Sequence, residues 1–249
     1  MENYIVITGA SSGIGAAAAK AFAKRGCNLV LIARREEILN KLKNDFEAEF
    51  GIKAIVKTAD LSRTDEVYRV YSELSKLHIA AWINNAGFGD YSSVADQDLT
   101  KAECLIAVDV TALMIFSSLY VRDYQNENVQ LINISSAGGY MIVPNAVTYC
   151  AAKFFVSTFT EGLARELAQS GCKLKAKVLA PAATETNFGK TASNAEKYDY
   201  GSHFARWHTS EQMAEFLLKL YDSNYVVGRV DRNTFQFELC DPVFPYAEK

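Results

Sequence analysis

Short apolar runs alternate along the chain with longer segments in which apolar residues return every third or fourth position. Tyr4-Ile5-Val6-Ile7 and residues 28–33, 53–58, 79–83, 129–134 and 174–179 read as strands, most of them apolar at successive positions and so covered on both faces. Between them lie predicted helices over 13–25, stopping at Gly26, over 36–50, closing at Gly51, and over 63–77, where Val67, Val70, Tyr71, Leu74 and Leu77 share one face. Residues 99–124 carry Leu105, Val108, Ala112, Ile115, Phe116, Leu119 and Tyr120 at helical spacing, enough for about seven turns. A further helix starts before Tyr149 and runs to about Gln169. Ser210 caps a last one over 211–221, and a short strand over 234–239 precedes Pro242 and Pro245.

This rhythm predicts an α/β protein, a doubly wound parallel sheet of about seven strands with helices on both faces and right-handed crossovers. One domain over residues 1–249 accommodates it. Residues 183–209 are polar, dotted with aromatics and weakly periodic, as expected of a mobile cover over a pocket.

Composition narrows the function. A net charge of −3, from 26 basic and 29 acidic residues, offers no polycation for nucleic acid. The first core strand begins at once, without a secretory leader, and no apolar run is expected to approach the roughly 18 residues of a membrane span. A cytoplasmic protein follows. Cys27, Cys104, Cys150, Cys172 and Cys240 are scattered as small hydrophobes of a reducing compartment. His78, His203 and His208 lack ligand spacing, so no metal site is expected.

Candidate chemistry gathers at the ends of the predicted strands. In Thr8-Gly9-Ala10-Ser11-Ser12-Gly13-Ile14-Gly15, Gly9 can take the turn off the strand, Gly13 lets backbone approach a phosphate, and Gly15 lets the Ala-rich helix pack on the sheet. That helix's free first-turn N–H groups would face a dinucleotide pyrophosphate, although a glycine-rich turn can also bind nothing. Arg34 and Arg35 end the second strand, where an NAD enzyme of this layout carries an acid for the ribose. A guanidinium there suits the 2′-phosphate of NADP, unless the pair is merely solvated. Asn84-Asn85-Ala86-Gly87 fits a strand end where a ligand passes close to backbone.

Tyr149 and Lys153 stand four apart on a helix, within about 6 Å on one face, so the ammonium can favour the phenolate of a group whose reference pKa is about 10. Among 13 tyrosines such spacing also arises by chance. Ser136 changes the balance, because its hydroxyl, after the fifth strand, can hold a substrate oxygen beside the phenol. No histidine lies between His78 and His203 to stand near Ser136 in the chain and activate a serine nucleophile, so acid/base help to hydride transfer fits better than hydrolysis.

In order and interval, Thr8-Gly9-x-x-x-Gly13-x-Gly15, Asn84-Asn85-Ala86-Gly87, Ser136 and Tyr149-x-x-x-Lys153 resemble the short-chain dehydrogenase/reductase family, in its NADP-preferring branch, over essentially the whole chain. The resemblance implies a Rossmann-type fold with Tyr149 as catalytic acid/base, Ser136 polarising the substrate and Lys153 lowering the tyrosine pKa and binding the nicotinamide ribose. It places Ser11, Ser12 and Ile14 with the glycines around the cofactor, and Arg34 on the 2′-phosphate. Asp60 and Leu61 would bracket the adenine, Asn85, Ala86 and Gly87 would run along the cofactor, and Pro181, Thr184 and Thr186 would lie at the nicotinamide end. It also implies a homodimer or homotetramer built on the long fourth and fifth helices. Two departures stand out. Asp109, in Asp109-Val110-Thr111-Ala112, replaces an asparagine of the proton relay and would pair with Lys153, and Ala182 replaces a glycine after Pro181.

The expected activity is therefore an NADP(H)-dependent exchange of hydride with a ketone or secondary alcohol, with Tyr91, Tyr140, Phe188, Tyr198, Phe204 and Trp207 as candidate wall residues. Two alternatives remain: reduction of 3-oxoacyl chains on a carrier protein, and a catalytically weak NADP-binding regulator or scaffold, which Asp109 motivates.

Overall fold

The computed structural model describes residues 2–247. Its strands are β1 (Asn3–Thr8), β2 (Asn28–Ala33), β3 (Ala54–Thr58), β4 (His78–Asn84), β5 (Gln130–Ile134), β6 (Lys175–Ala180), β7 (Thr184–Glu185), β8 (His208–Thr209), β9 (Val227–Val230) and β10 (Phe237–Cys240). Eight of these form one sheet in the order β10-β9-β6-β5-β4-β1-β2-β3, while β7 and β8 pair separately. Every pair in the large sheet is parallel except β9 with β10. The order reverses between β1 and β4. In such sheets the carboxyl ends at that reversal form the ligand crevice.

Strand β1 explains why both sheet faces are covered. Ile5 and Ile7 point into one core with Ala18, Ala19 and Phe22 of α1 (Gly13–Lys24) and with Leu217 and Leu220. Tyr4 and Val6 point into the opposite core, with Val67, Val70, Trp82, Phe116 and Tyr120. Helix α2 (Glu36–Phe50) ends at Gly51 in the left-handed conformation, φ 67°, and α3 (Thr64–Glu73) ends a turn earlier than the apolar spacing predicts.

The predicted long helix is continuous but not uniform. It consists of α4 (Leu99–Ile106), a π-helical stretch (Ala107–Ala112) and α5 (Leu113–Tyr124). It also corrects an expectation. Within Leu99–Tyr124 an 18-residue window has a mean hydropathy of 2.0, so one apolar run does reach the length of a membrane span. Here the helix packs on the sheet through Phe116 and Tyr120, and the buried carboxylate of Asp109 sits at its middle.

Helix α6 (Val147–Gln169) carries the Tyr149 and Lys153 pair. In the covering segment, short pieces replace the irregular chain expected: β7, α7 (Phe188–Ala192), α8 (Tyr200–His203) and β8. Helix α9 (Ser210–Asp222) is capped by Thr209, whose side chain and Gln212 form a reciprocal box, rather than by Ser210. Strand β9 was not foreseen, because Gly228 and Arg229 interrupt its apolar pattern. It raises the sheet to eight strands, and β10 begins later than the strand expected over 234–239.

Candidate active site

At the end of β1, Gly9 and Gly13 hold φ of 67° and 56°, angles that side chains rarely adopt. Helix α1 starts without a side-chain capping bond at Ser12 and without an acid in its first turn, leaving those N–H groups open to an anion. Gly15 is the tightest position, since a β-carbon there would lie 2.4 Å from both Asn85 Nδ2 and the Gly9 carbonyl oxygen. Asn85 and Ala86 donate their backbone N–H groups to Thr8 Oγ1, each at 2.9 Å, and Asn85 Nδ2 donates to the Thr8 carbonyl at 2.9 Å. Thr8 thereby ties β1 to the end of β4. Its place before the glycine turn was the one available signal for this role.

A cleft of about 1060 Å³ opens along these strand ends. Gly9, Ser11, Ser12, Gly13, Ile14, Arg34, Asp60, Leu61, Asn85, Ala86, Gly87, Ser136, Tyr149, Lys153, Pro181, Thr184 and Thr186 all line it. Gly15 and Asp109 do not: both lie directly behind the lining. At one end Arg35, rather than Arg34, reaches across, donating from Nη2 to Ser11 Oγ at 2.9 Å and Ser12 Oγ at 3.0 Å. Both guanidiniums are exposed.

At the other end Ser136 opens a single 3-10 turn (Ala137–Gly139), and its Oγ accepts from the Gly138 N–H at 3.0 Å. Its neighbour Ser135 faces the other way, with its Oγ 3.0 Å from the Lys153 carbonyl and 2.7 Å from Ser157 Oγ. This binds the turn to α6. A β-carbon on Gly138 would stand 3.5 Å from Ser136 Oγ and 3.6 Å from Tyr149 Cε1, so both side chains crowd the same glycine.

Lys153 and Asp109 make a buried ion pair, Nζ to Oδ2 at 2.9 Å. Lys153 Nζ also donates to the Ile134 carbonyl, and Asp109 Oδ1 accepts from the Phe88 N–H at 3.1 Å. Burial pushes the Asp109 carboxyl above the usual range, against the pull of Lys153. The ammonium stands 5.8 Å from the centre of the Tyr149 ring. The expected acidic phenol is not what this environment produces. Burial pushes Tyr149 well above its ordinary value, the nearby Ser136 hydroxyl opposes that, and the Asp109 charge adds to it.

Thr184 donates its hydroxyl to the Ala182 carbonyl at 2.9 Å, whereas Thr186 Oγ1 accepts from the Phe188 N–H at 3.0 Å and keeps its own proton to donate. Phe188 packs on Tyr149, ring centres 5.3 Å apart, and Tyr91 on Phe188 at 6.3 Å. Tyr198 and Phe204 also line the cleft. Tyr140 and Trp207 do not. The Tyr140 hydroxyl donates to Glu161 at 2.6 Å while its ring stacks on Phe244, and Trp207 donates to Glu185. A latch unannounced by any local pattern fixes the cover. Lys101 Nζ binds Asp90 Oδ1 at 2.8 Å, the Thr191 carbonyl at 3.0 Å and Asn194 Oδ1 at 2.8 Å.

A model of the short chain dehydrogenase family matches residues 3–197. The chain belongs to that family. Among curated members, dehydrogenase/reductase SDR family member 11 of Gallus gallus is 31% identical over 191 residues, 74% of this chain and 75% of that protein. Among solved structures, a short-chain dehydrogenase from Sphingobium yanoikuyae in complex with NADPH is 29% identical, covering 93% of this chain and 89% of that one with a TM-score of 0.83. The bulky-bulky ketone specific alcohol dehydrogenase from Comamonas testosteroni is 26% identical, covering 92% and 86% with a TM-score of 0.79. The glycine turn, Ser136, Tyr149 and Lys153 lie along one cleft, while the Asp109 pair and the Lys101 latch are read from this chain's own geometry.

Proposed function

We propose that this protein exchanges a hydride between a nicotinamide cofactor, NADP(H) by preference, and a ketone or secondary alcohol, with Tyr149 as acid/base. The observation that carries this is the meeting of Ser136, Tyr149 and Lys153 at one end of a cleft whose other end is an uncapped, glycine-started helix. When bound, the nicotinamide supplies the transferable hydrogen with its electron pair. The NADPH complex of the Sphingobium relative and the ketone specificity of the Comamonas relative accord with this reading.

The cradle fits a dinucleotide. The open N–H groups of α1 would hold a pyrophosphate, Asp60 and Leu61 would hold the adenine, and Asn85, Ala86 and Gly87 would contact the cofactor along the cleft. Arg34, Arg35 and Ser11 would hold a 2′-phosphate. Pro181, Thr184 and Thr186 close the nicotinamide end, with the Thr186 proton free for a carboxamide oxygen. Ser136 holds the substrate oxygen, and Tyr149 gives that oxygen its proton as the carbonyl carbon is reduced. Lys153 holds the ribose side of the site while Asp109 fixes the ammonium from behind. Burial favours the protonated phenol, the form that can give its proton to a carbonyl oxygen.

The same reading places the protein in the cytoplasm, in keeping with its unpaired cysteines, as a homodimer or homotetramer. The buried Asp109 also motivates a second reading, a cofactor-binding regulator with weak turnover. Fluorescence titration with NADPH and NADH tests the cofactor assignment. We expect NADPH to bind about tenfold tighter or more, roughly 1.4 kcal/mol, and Arg34→Ala with Arg35→Ala to erase the difference. Equal affinities in the unaltered protein would overturn it.

A further inference from the structure

We infer that the substrate is an oxo acid, a ketone whose apolar body lies among the aromatic walls and whose far end carries a carboxylate held by Arg232, with Lys190 in support. This rests on the hydride-transfer reading and adds the substrate class to it.

The charges lining the cleft sort by position and by partner. Arg34, Arg35 and Asp60 stand at the adenine end. Lys153 is neutralised by Asp109, and Lys101 by Asp90. The remaining lysine and arginine, Lys190 on α7 and Arg232 between β9 and β10, belong to no ion pair among the described residues. Asp60 is the one carboxylate on the lining among those residues. The substrate end is thus cationic without an internal counter-ion.

Arg232 is carried by a built turn. Asp231 Oδ1 accepts from the Asn233 N–H at 3.0 Å, the Thr234 N–H at 2.7 Å and the Thr234 hydroxyl at 3.0 Å. Asp231 is committed to the turn. Phe235 takes φ 58°, a left-handed angle uncommon outside glycine, and its ring stacks on His208 at 5.8 Å while lining the cleft. Arg232 Nη1 lies 3.4 Å from Met141 Sδ, a weak acceptor, which puts the guanidinium over the loop that follows Ser136. That is the substrate side of the cleft, away from the glycine turn. A planar guanidinium with unused donors suits a carboxylate, which it can bind through two parallel hydrogen bonds. The same cleft carries an aromatic wall, Tyr91, Phe188, Tyr198 and Tyr200, with Phe188 packed on Tyr149, and it suits an alkyl or aryl body.

The test uses matched probes: 4-oxo-4-phenylbutanoate and 5-oxo-5-phenylpentanoate, each against its methyl ester, with the whole protein and NADPH. We expect kcat/KM for the better acid to exceed that for its ester by about tenfold or more, with the preference falling as ionic strength rises. In Arg232→Gln the acid-over-ester preference should fall about tenfold with NADPH affinity unchanged, and Lys190→Gln should show a smaller loss. Turnover of acid and ester with equal efficiency, or a preference that survives Arg232→Gln, would overturn the oxo-acid assignment and leave hydride transfer standing. Calorimetry on the NADPH complex separates the converse: acid bound more tightly than ester, in an Arg232-dependent way but without turnover, keeps the carboxylate site at Arg232 and sinks the hydride-transfer reading. A loss of NADPH affinity in Lys190→Gln with the acid preference intact would reassign Lys190 to the cofactor.

Discussion

Asp109 is completely buried 2.9 Å from the Lys153 ammonium, so a fixed carboxylate stands behind the phenol that the proposed reaction uses. Its charge raises the Tyr149 pKa, and its pairing with Lys153 spends part of the cation's pull on the phenol. Removing the charge acts in one direction on both counts. In Asp109→Asn the tyrosine should ionise at lower pH. The rising limb of alcohol oxidation, which needs phenolate, and the falling limb of ketone reduction, which needs phenol, should both move to lower pH. Rate profiles measured in the two directions check this, and superimposed curves for the variant and the unaltered protein would contradict it. The pairing was legible in the sequence from the family pattern and the residue type. The depth of burial was not, because it comes from a π-helical stretch and from Gly87, where a β-carbon would lie 2.8 Å from Asp109 Oδ2.

At the scale of elements, the contact between α1 and the ends of β1 and β4 holds the cleft open in the right shape. Gly15→Ala would drive a methyl to 2.4 Å from the Gly9 carbonyl oxygen and from Asn85 Nδ2, the latter already held by the Thr8 carbonyl. We expect a loss of about 1–3 kcal/mol in unfolding free energy, typical of an overpacked site, together with weakened cofactor binding. Urea unfolding and a cofactor titration measure both, and unchanged values would show that the turn yields freely. Glycines at these places were readable because backbone geometry demands them. Their partner Asn85 lines the cleft while its amide donates to the Thr8 carbonyl, a pairing across β1 and β4 that no local pattern reports. Strand β9 went unseen for a related reason, since four residues with a glycine and an arginine gain their order only from β6 and β10.

On the scale of the molecule, apolar side chains stay open on the long apolar helix and on α6. Ile106 and Met114, each 38% exposed, lie along the long apolar helix, and Phe155 and Phe159 stack half-buried on α6 with ring centres 5.5 Å apart. A second copy of the chain is the occupant we propose. Light scattering after gel filtration should give a dimer or tetramer, and Phe159→Asp should shift it toward monomer. A monomer in the unaltered protein would contradict this. The cover shows the same division of legibility at large scale: its extent and aromatic content could be read along the chain, whereas its fastening could not. Lys101 meets Asp90 and Asn194 across separate parts of the chain, and only the folded arrangement brings them to one ammonium.

The most direct test follows the transferred hydrogen itself. NADPH carrying deuterium on the transferring face is mixed with the protein and a ketone it accepts, and the alcohol is read by proton and deuterium NMR. The account predicts deuterium on the new carbinol carbon, and in Tyr149→Phe a fall in rate of about 10²–10⁴-fold with cofactor affinity retained. Cofactor that binds but delivers no deuterium to any ketone, or full transfer in Tyr149→Phe, would contradict it.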